Sequence, residues 1–145
     1  MVGAVLTAVL CTGALAGCSQ EPEPIPVKET PQLSREQFVT RANAICLRGT
    51  RDLDRRGRDL DTATPAKARR VVTKVIVPGL RDQAADVREL KGPARLERQL
   101  EPLLEETERI LDFISEDPTR YAEVDLLFTD VDKGLTALGL TECGS

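Results

Sequence analysis

The sequence predicts an all-α fold, an antiparallel four-helix bundle with one disulfide that joins the first helix to the C-terminus. From residue 33 onward, apolar residues recur every three or four positions, the period of a helix with one buried face. Cap and turn residues divide this pattern into four segments with short connections, which is typical of antiparallel neighbours in a bundle. Two cysteines lie near the two ends of the pattern, and such a bundle places its first and last helices side by side.

The first and second segments begin at recognisable caps. Ser34 and Gln37 fit a capping box, and the apolar stripe that follows contains Phe38, Ala42, Ile45, Cys46, Gly49, Leu53 and Leu60. The pair Thr64-Pro65 predicts the start of the second helix, whose apolar stripe contains Ala68, Val71, Val72, Val75, Ile76, Leu80, Ala84, Val87 and Leu90. We expect a kink or short break where Pro78 and Gly79 interrupt its stripe, because proline removes a helical hydrogen bond. The β-branched run before Pro78 also allows a short strand, which the long helical period disfavours.

The third and fourth segments have equally clear limits. Lys91-Gly92-Pro93 separates the second helix from the third, in which Pro102 either produces a kink or marks a later N-terminus. Asp117-Pro118 predicts the start of the fourth helix, and Gly139 stands where a left-handed C-cap is expected. The fourth stripe has the most regular period in the chain, with Tyr121, Val124, Phe128, Val131, Leu135 and Leu138.

Size and composition exclude several kinds of site. The 145 residues suffice for one domain, and 41% hydrophobic residues is typical of globular chains. The sequence contains no histidine, which excludes Ser-His and Cys-His nucleophile pairs, the Glu-x-x-His di-iron site and His-bound zinc. With three Phe, one Tyr and no Trp, stacking platforms for bases are improbable. We therefore expect no cofactor and no nucleic-acid partner.

Residues 1–17, MVGAVLTAVLCTGALAG, predict a secretory signal peptide. They form an apolar run without a charged side chain, at the lower length limit for a membrane span and weakened further by Thr and Gly. No Lys or Arg precedes the run. Either the N-terminal amine supplies the positive charge or the start codon lies upstream, and we favour the second.

The segment Leu15-Ala16-Gly17-Cys18 resembles the bacterial lipobox. In that motif the signal peptide is cut before the cysteine, which then carries a diacylglyceryl group. The resemblance implies that Cys18 is a lipid attachment site and that the protein is anchored to the outer face of the cytoplasmic membrane, since two acyl chains suffice for stable anchoring. The alternative is an ordinary signal peptide with a cysteine there by chance.

Residues 18–32 predict a tether between the lipid and the domain at residues 33–145. Four prolines block helix and sheet within it: Pro22, Pro24, Pro26 and Pro31. At ~3.1 Å per residue, an extended segment of this length reaches on the order of 40 Å. A ligand for an SH3-type domain is the alternative, which we disfavour because such domains are scarce outside a bacterial membrane.

The four cysteines divide by position. Cys11 leaves with the signal peptide and Cys18 is used by the lipid, so Cys46 and Cys143 remain as an even pair in an oxidising compartment. We expect a structural disulfide between them. A redox or metal-binding pair is the alternative, but no Cys-x-x-Cys is present and two thiolates alone make a poor zinc site.

A second resemblance covers both ends of the domain. Ala42-Asn43-Ala44-Ile45-Cys46, together with Leu138-Gly139-Leu140-Thr141-Glu142-Cys143-Gly144, is similar to a group of small secreted actinobacterial lipoproteins. Members of that group share a helical middle between these two motifs and have no assigned biochemical role. The resemblance implies envelope localisation, a helical fold and the disulfide, and it implies no activity.

The net charge of −4 conceals two opposed halves. Residues 35–95 hold fifteen basic and eight acidic side chains, whereas residues 97–132 hold three basic and twelve acidic ones. We interpret the halves as packing side by side with surface ion pairs. Two alternative interpretations remain, one for a basic helix face and one for an acidic helix face. The basic face of Arg48, Arg51, Arg55 and Arg58 could dock on anionic lipid or cell-wall polymer, and the acidic face could bind calcium weakly. The acidic face comprises Glu97, Glu101, Glu105, Glu108 and Asp112.

These features favour a noncatalytic envelope lipoprotein whose domain binds an envelope protein or a wall component. The alternative is a carboxylate-based metal-binding or hydrolytic envelope protein, since paired carboxylates can hydrolyse substrates without histidine. A purely structural or regulatory partner of a membrane complex is a third possibility. No Gly-rich phosphate loop, Ser-x-x-Lys or Gly-x-Ser-x-Gly motif is present, so we expect no catalytic residues and no resident metal.

Overall fold

A computed structural model describes residues 31–58, 60, 62 and 64–144, and these form an antiparallel four-helix bundle without strands. The predicted signal peptide, Cys18 and the tether up to residue 30 lie outside the described residues. None of the described helices combines the length and apolar character needed to cross a membrane. The elements in chain order are α1 (Arg35–Gly57), α2 (Pro65–Val71), a π-helical turn (Val72–Ile76), α3 (Val77–Glu89), α4 (Ala94–Glu116), a 3-10 helix (Pro118–Glu123) and α5 (Val124–Leu138).

The predicted caps begin the first two helices. The Ser34 hydroxyl accepts a hydrogen bond from the backbone N–H of Gln37 (3.2 Å), and the Gln37 side chain accepts one from the backbone N–H of Ser34 (3.0 Å). This reciprocal pair is the predicted capping box. Thr64 accepts from the N–H of Lys67 at 3.4 Å, with Pro65 in the first turn of α2. Helix α2, the π-helical turn and α3 continue without a break as the second rod of the bundle.

The second rod is irregular one turn before the position that the sequence indicated. Helix α3 passes through Pro78 and Gly79, so the expected break there is wrong, and the β-branched run is helical. The irregularity is the π-helical turn at Val72–Ile76. Because Pro78 has no N–H to donate to the preceding turn, the wider hydrogen bonding of a π-helical turn accommodates it there. The turn shifts the phase of the stripe, so Val77, which the predicted stripe omitted, is only 2% exposed.

The third helix begins where predicted and the fourth begins differently. Helix α4 starts directly after Lys91-Gly92-Pro93 and continues through Pro102, which therefore does not mark its N-terminus. After α4, the chain first forms the 3-10 helix Pro118–Glu123, and Asp117 accepts a hydrogen bond from the N–H of Thr119 at 3.1 Å. A 3-10 segment is a frequent start of an α-helix, so the predicted cap is present but α5 starts six residues later, at Val124.

Gly139 ends α5 as predicted. Its φ of 92° lies in the left-handed region that favours glycine. The N–H of Leu140 donates to the carbonyl of Leu135 and the N–H of Gly139 to that of Thr136, both at 2.9 Å, which is the Schellman pattern. Leu140 consequently folds back on the last turn and is fully buried.

The buried core is unevenly distributed along the bundle. Helix α4 contributes buried side chains from Leu96 to Ile114. In α1 the buried residues end at Cys46, and in α5 they begin at Val131. Since α1 and α5 are antiparallel, these well-buried stretches lie at the same end. We call that end the base, and we call the end formed by α1 after Cys46 and α5 before Val131 the open half.

Candidate functional site

The predicted disulfide is present and joins α1 to the C-terminal segment at the base. The Sγ atoms of Cys46 and Cys143 are 2.04 Å apart and their Cα atoms 5.1 Å apart, so neither is a free thiol. Asn43, one turn earlier, bridges the same segments. Its Nδ2 donates to the Gly139 carbonyl at 2.9 Å, and its Oδ1 accepts from the N–H of Glu142 at 3.0 Å. The two motifs that carry the resemblance to actinobacterial lipoproteins therefore form one contact unit.

Away from the base, α1 and α5 lack close packing with each other. Helices α1 and α3, α3 and α4, and α4 and α5 all pack closely, whereas α1 and α5 do not. Leu53 of α1 and Phe128 of α5 line the space between these helices and are only half-buried. The bundle is therefore closed on three sides and split along the fourth.

A cavity of about 770 Å³ occupies this split and extends to the disulfide. Ligand pockets commonly have volumes of roughly 300–1,000 Å³ and mostly apolar walls. Here the C-terminal turn and the disulfide form one end, through Leu140, Cys46 and Cys143. The apolar side chains of the walls come from all four rods and include Leu53, Ile76, Leu80, Val87, Leu104, Phe128 and Val131.

Charged and aromatic groups reach the cavity chiefly from α5 and the segment before it. Asp125 and Asp132 line it from α5, seven residues apart and therefore on one face of the helix. Tyr121 lines it from the 3-10 helix, and Asp54 and Arg58 from the end of α1. In the described part of the chain, neither Asp125 nor Asp132 has an ion-pair partner.

The cavity disfavours negative charge on two of these groups. Partial burial raises the pKa of the Asp132 carboxyl above its usual value, and the nearby Asp125 carboxylate raises it further. The pKa of the Tyr121 phenol is raised for the same two reasons, with burial the larger. A positive charge bound beside these groups would oppose both shifts.

Gln83 lines the cavity and carries an unsatisfied donor. Its Nε2 is shielded from solvent and has no hydrogen-bond partner among the described residues. The side chain lies against α1 at Gly49, where any β-carbon would collide with it. A buried amide group without a partner costs about 1–3 kcal/mol, so this arrangement lowers the stability of the fold.

The arginines of the predicted basic face of α1 are all exposed but differ in their contacts. Arg48, Arg51, Arg55 and Arg58 are all exposed. Arg55 pairs with Asp52 at 2.6 Å, and its hydrogen bond lowers the pKa of that carboxyl. Arg58 lines the cavity. Arg48 and Arg51 do not line the cavity, and they form no ion pair with any residue that the structure describes.

The acidic face of α4 pairs with α3. The Arg81 guanidinium contacts Glu108 at 3.4 Å and also Asp112, and Arg88 Nε lies 3.1 Å from Glu101. The predicted pairing of basic and acidic halves is thus confirmed between these two helices. Within the described ranges, no group of three or more Cys, Asp or Glu side chains is placed to hold a metal ion.

The cavity and its polar residues were not predicted from the sequence. One signal was present: between Cys46 and Leu60 the stripe of α1 contains a single large apolar residue, Leu53. A stripe that weakens in this way indicates a helix that is not fully packed over its second half. Nothing comparable singled out Gln83, whose unpaired state depends on the packing of α3 against α1.

A cavity between the helices of a bundle is a common place for a ligand. A relative with a known ligand would identify the occupant of this one. No protein-family model, characterised protein or solved structure matches the chain.

Proposed function

We propose that this chain is a lipid-anchored protein of the outer face of the cytoplasmic membrane whose helical domain binds a ligand in the cavity between α1 and α5, without catalysis. The cavity is the observation that carries the binding role. The lipobox-like segment ending at Cys18 and the proline-rich tether support the location. The resemblance of both ends of the domain to small actinobacterial lipoproteins supports the location as well.

The form of the cavity supports a ligand site. Its volume of about 770 Å³ exceeds the small voids that ordinary packing leaves in a core. Leu53 and Phe128 remain half-buried along it. A ligand that covered these side chains would gain roughly 25 cal/mol per Å² of apolar surface removed from water.

The chemistry of the lining favours binding over reaction. Cys46 and Cys143 are bonded to each other, so neither offers a nucleophilic thiolate. The hydroxyl of Thr107 donates to the backbone carbonyl of Leu103 at 2.9 Å. Burial and Asp125 raise the pKa of Tyr121, which makes its phenolate harder to form. The sequence has no histidine to activate a hydroxyl group.

The acids of the cavity favour one alternative, a carboxylate-based metal-binding or hydrolytic envelope protein. Asp125 and Asp132 share a face of α5, and carboxylates are the preferred ligands of Ca²⁺. Thermal unfolding with and without Ca²⁺ tests this alternative. A rise in Tm that is lost in Asp132→Asn would favour it, and an unchanged Tm would favour binding of an organic ligand.

The unpaired arginines of α1 support a second contact, with an envelope protein or an anionic cell-wall polymer. Arg48 and Arg51 are exposed and have no acidic partner among the described residues. Each such cation contributes ~1 kcal/mol near an anionic surface. Replacing both with Gln should weaken sedimentation of the protein with isolated cell walls, and unchanged sedimentation would contradict this contact.

Labelling with a tagged fatty acid tests the anchor. The wild-type chain should incorporate the label, and Cys18→Ser should not, because the thiol is needed for the thioether. Cys11→Ser is the matched control and should still be labelled. Equal labelling of the wild type and Cys18→Ser would refute the anchor.

Fluorescence of the neutral apolar probe diphenylhexatriene tests binding in the cavity. Titration of the full chain should give saturable binding. Thr107→Trp places a large side chain into the cavity from α4 and should abolish that binding. Glu105→Trp, on the exposed side of the same helix, should leave it unchanged. Binding that survives Thr107→Trp would contradict the proposed site.

A further inference from the structure

We infer that the ligand of this cavity is an amphipathic organic cation, with an apolar body between the helices and an ammonium group beside Asp125 and Asp132. The inference rests on the proposed function, because it concerns the same cavity. It adds the chemical class of the ligand and the wall on which the charged group lies.

The charges of the lining favour a positive ligand. Three carboxylates line the cavity, those of Asp54, Asp125 and Asp132, against one guanidinium, that of Arg58. Asp125 and Asp132 have no ion-pair partner in the part of the chain that the structure describes. An ammonium group would supply the missing partner. A fatty acid would instead bring a further carboxylate beside these two.

The groups on the α5 side are suited to such a cation. Phe128 lies between Asp125 and Asp132 in sequence, and Tyr121 precedes them, so two aromatic rings accompany the two acids along the cavity. Ammonium groups bind to the faces of aromatic rings as well as to carboxylates. This combination of rings and acids favours an organic ammonium over a bare metal ion, which would require several oxygen ligands around it.

The walls formed by α1 and the second rod suit the body of the ligand. Leu53 of α1 and Ile76 and Leu80 of the second rod give an apolar surface. Gln83, on the same rod, adds one polar side chain to this wall.

Ionisation of Asp132 and binding of a cation favour each other. Burial and Asp125 raise the pKa of Asp132, and a bound ammonium would lower it again. The other titratable and charged groups that line the cavity are Asp54, Arg58 and Tyr121. Affinity for a cation should therefore decrease as the pH falls and the carboxylates are protonated.

Three probes with the same apolar rod test the charge of the ligand. They are the trimethylammonium derivative of diphenylhexatriene, the neutral parent and the propionic acid derivative. In fluorescence titrations of the full chain, we expect the cation to bind about tenfold more tightly than the neutral probe, or about 1.4 kcal/mol. We expect the anion to bind most weakly.

Substitutions in α5 test whether the carboxylates of Asp125 and Asp132 cause the preference for the cationic probe. Asp125→Asn with Asp132→Asn should reduce the affinity for the cation to that for the neutral probe. Asp125→Asn alone, at an exposed position, should remove part of the preference without affecting folding. Asp130→Asn is the matched control, since its side chain is 97% exposed and does not line the cavity, and it should keep the full preference.

The outcomes separate this inference from the proposed function. If all three probes bind equally, or the anion binds best, and Thr107→Trp still abolishes binding, the cavity is a ligand site but the cationic class is wrong. If the preference persists without both acids, their role is wrong. If none of the probes binds, the proposed function and this inference both fail.

Discussion

The base and the open half are formed by the same helices but differ in how closely α1 and α5 are packed. At the base, Phe38 and Leu140 are almost fully buried, and the disulfide and Asn43 join α1 to the C-terminal segment. In the open half, α1 after Cys46 and α5 before Val131 contribute no buried side chain among the described residues. In a small bundle, two helices can therefore remain separated at one end when a disulfide and buried side chains join them at the other.

This division has an energetic basis. An empty cavity removes packing contacts from the groups that line it and therefore lowers stability. A disulfide stabilises the fold mainly by restricting the unfolded chain, and more so when its cysteines are far apart in sequence. Cys46 and Cys143 are separated by 97 positions, so this bond can offset much of the packing that the open half lacks.

Replacement of a phenylalanine by alanine should cost much more stability at the base than in the open half. Phe38 is 1% exposed and packs closely against Gly92, so Phe38→Ala should lower the free energy of unfolding by about 3–5 kcal/mol. Phe128 lines the cavity and is half-buried, so Phe128→Ala should lower it by only about 1 kcal/mol. Urea unfolding measures both values. Equal losses would show that the two halves are equally packed.

Removal of the disulfide should have the next largest effect. Cys46→Ser with Cys143→Ser should lower the free energy of unfolding by about 2–4 kcal/mol, because the unfolded chain regains the freedom that the bond restricts. Urea unfolding of this variant against the oxidised wild type measures the loss. Thr141→Ser, at an exposed position of the same C-terminal segment, is the control and should leave the stability unchanged. Unchanged stability would mean that the base is held by packing alone.

Removal of the unpaired amide at Gln83 should stabilise the protein. Gln83→Met retains a long side chain against Gly49 but has no buried N–H, so we expect the free energy of unfolding to rise by about 1 kcal/mol. Gln99→Met, at an exposed position of α4, should change it by less than about 0.5 kcal/mol. A loss of stability in Gln83→Met would show that the amide has a partner.

Asp132→Asn should give the smallest effect and a characteristic pH dependence. Because the folded state raises the pKa of Asp132, it binds the proton more tightly than the unfolded chain, and ionisation costs stability. The variant should be more stable than the wild type above the raised pKa, by a few tenths of a kcal/mol at this partly exposed site. The advantage should disappear below the usual value of 3.8.

Thermal unfolding at about pH 7 and about pH 3 measures this difference on both sides of the transition. Asp130→Asn, at a fully solvated position on the same helix, should show no such dependence. An advantage of Asp132→Asn that is the same at both pH values would exclude the Asp132 carboxylate as its cause.

The features that were predicted correctly depend on residues close together in sequence or, for the disulfide, on the chemistry of cysteine. The capping box at Ser34 and the left-handed turn at Gly139 depend on residues within one turn. The disulfide was predicted from the two cysteines that remain once Cys11 and Cys18 are assigned to the expected signal peptide and lipid site. The π-helical turn was not predicted, because the hydrogen-bonding consequence of Pro78 arises one turn before it and shifts Val77 into the core.

The split was not predicted because it depends on two helices at once. The stripe of α5 is regular from Tyr121 to Leu138 and indicates burial over its whole length. Whether Phe128 is covered depends on what α1 supplies opposite it, and α1 supplies only Leu53 between Cys46 and Leu60. Comparison of facing stripes, rather than of each stripe alone, would have indicated the cavity.

The point at which the chain enters the bundle gives the molecule a polarity. Gln32 Nε2 donates to the Gly92 carbonyl and the N–H of Leu33 to that of Lys91, both at 2.7 Å, so the chain enters at the base. The 23 residues of α1 then extend about 35 Å from that entry, at about 1.5 Å per residue. If Cys18 anchors the protein, the tether joins the bundle at the base, so the open half is the end opposite the attachment point.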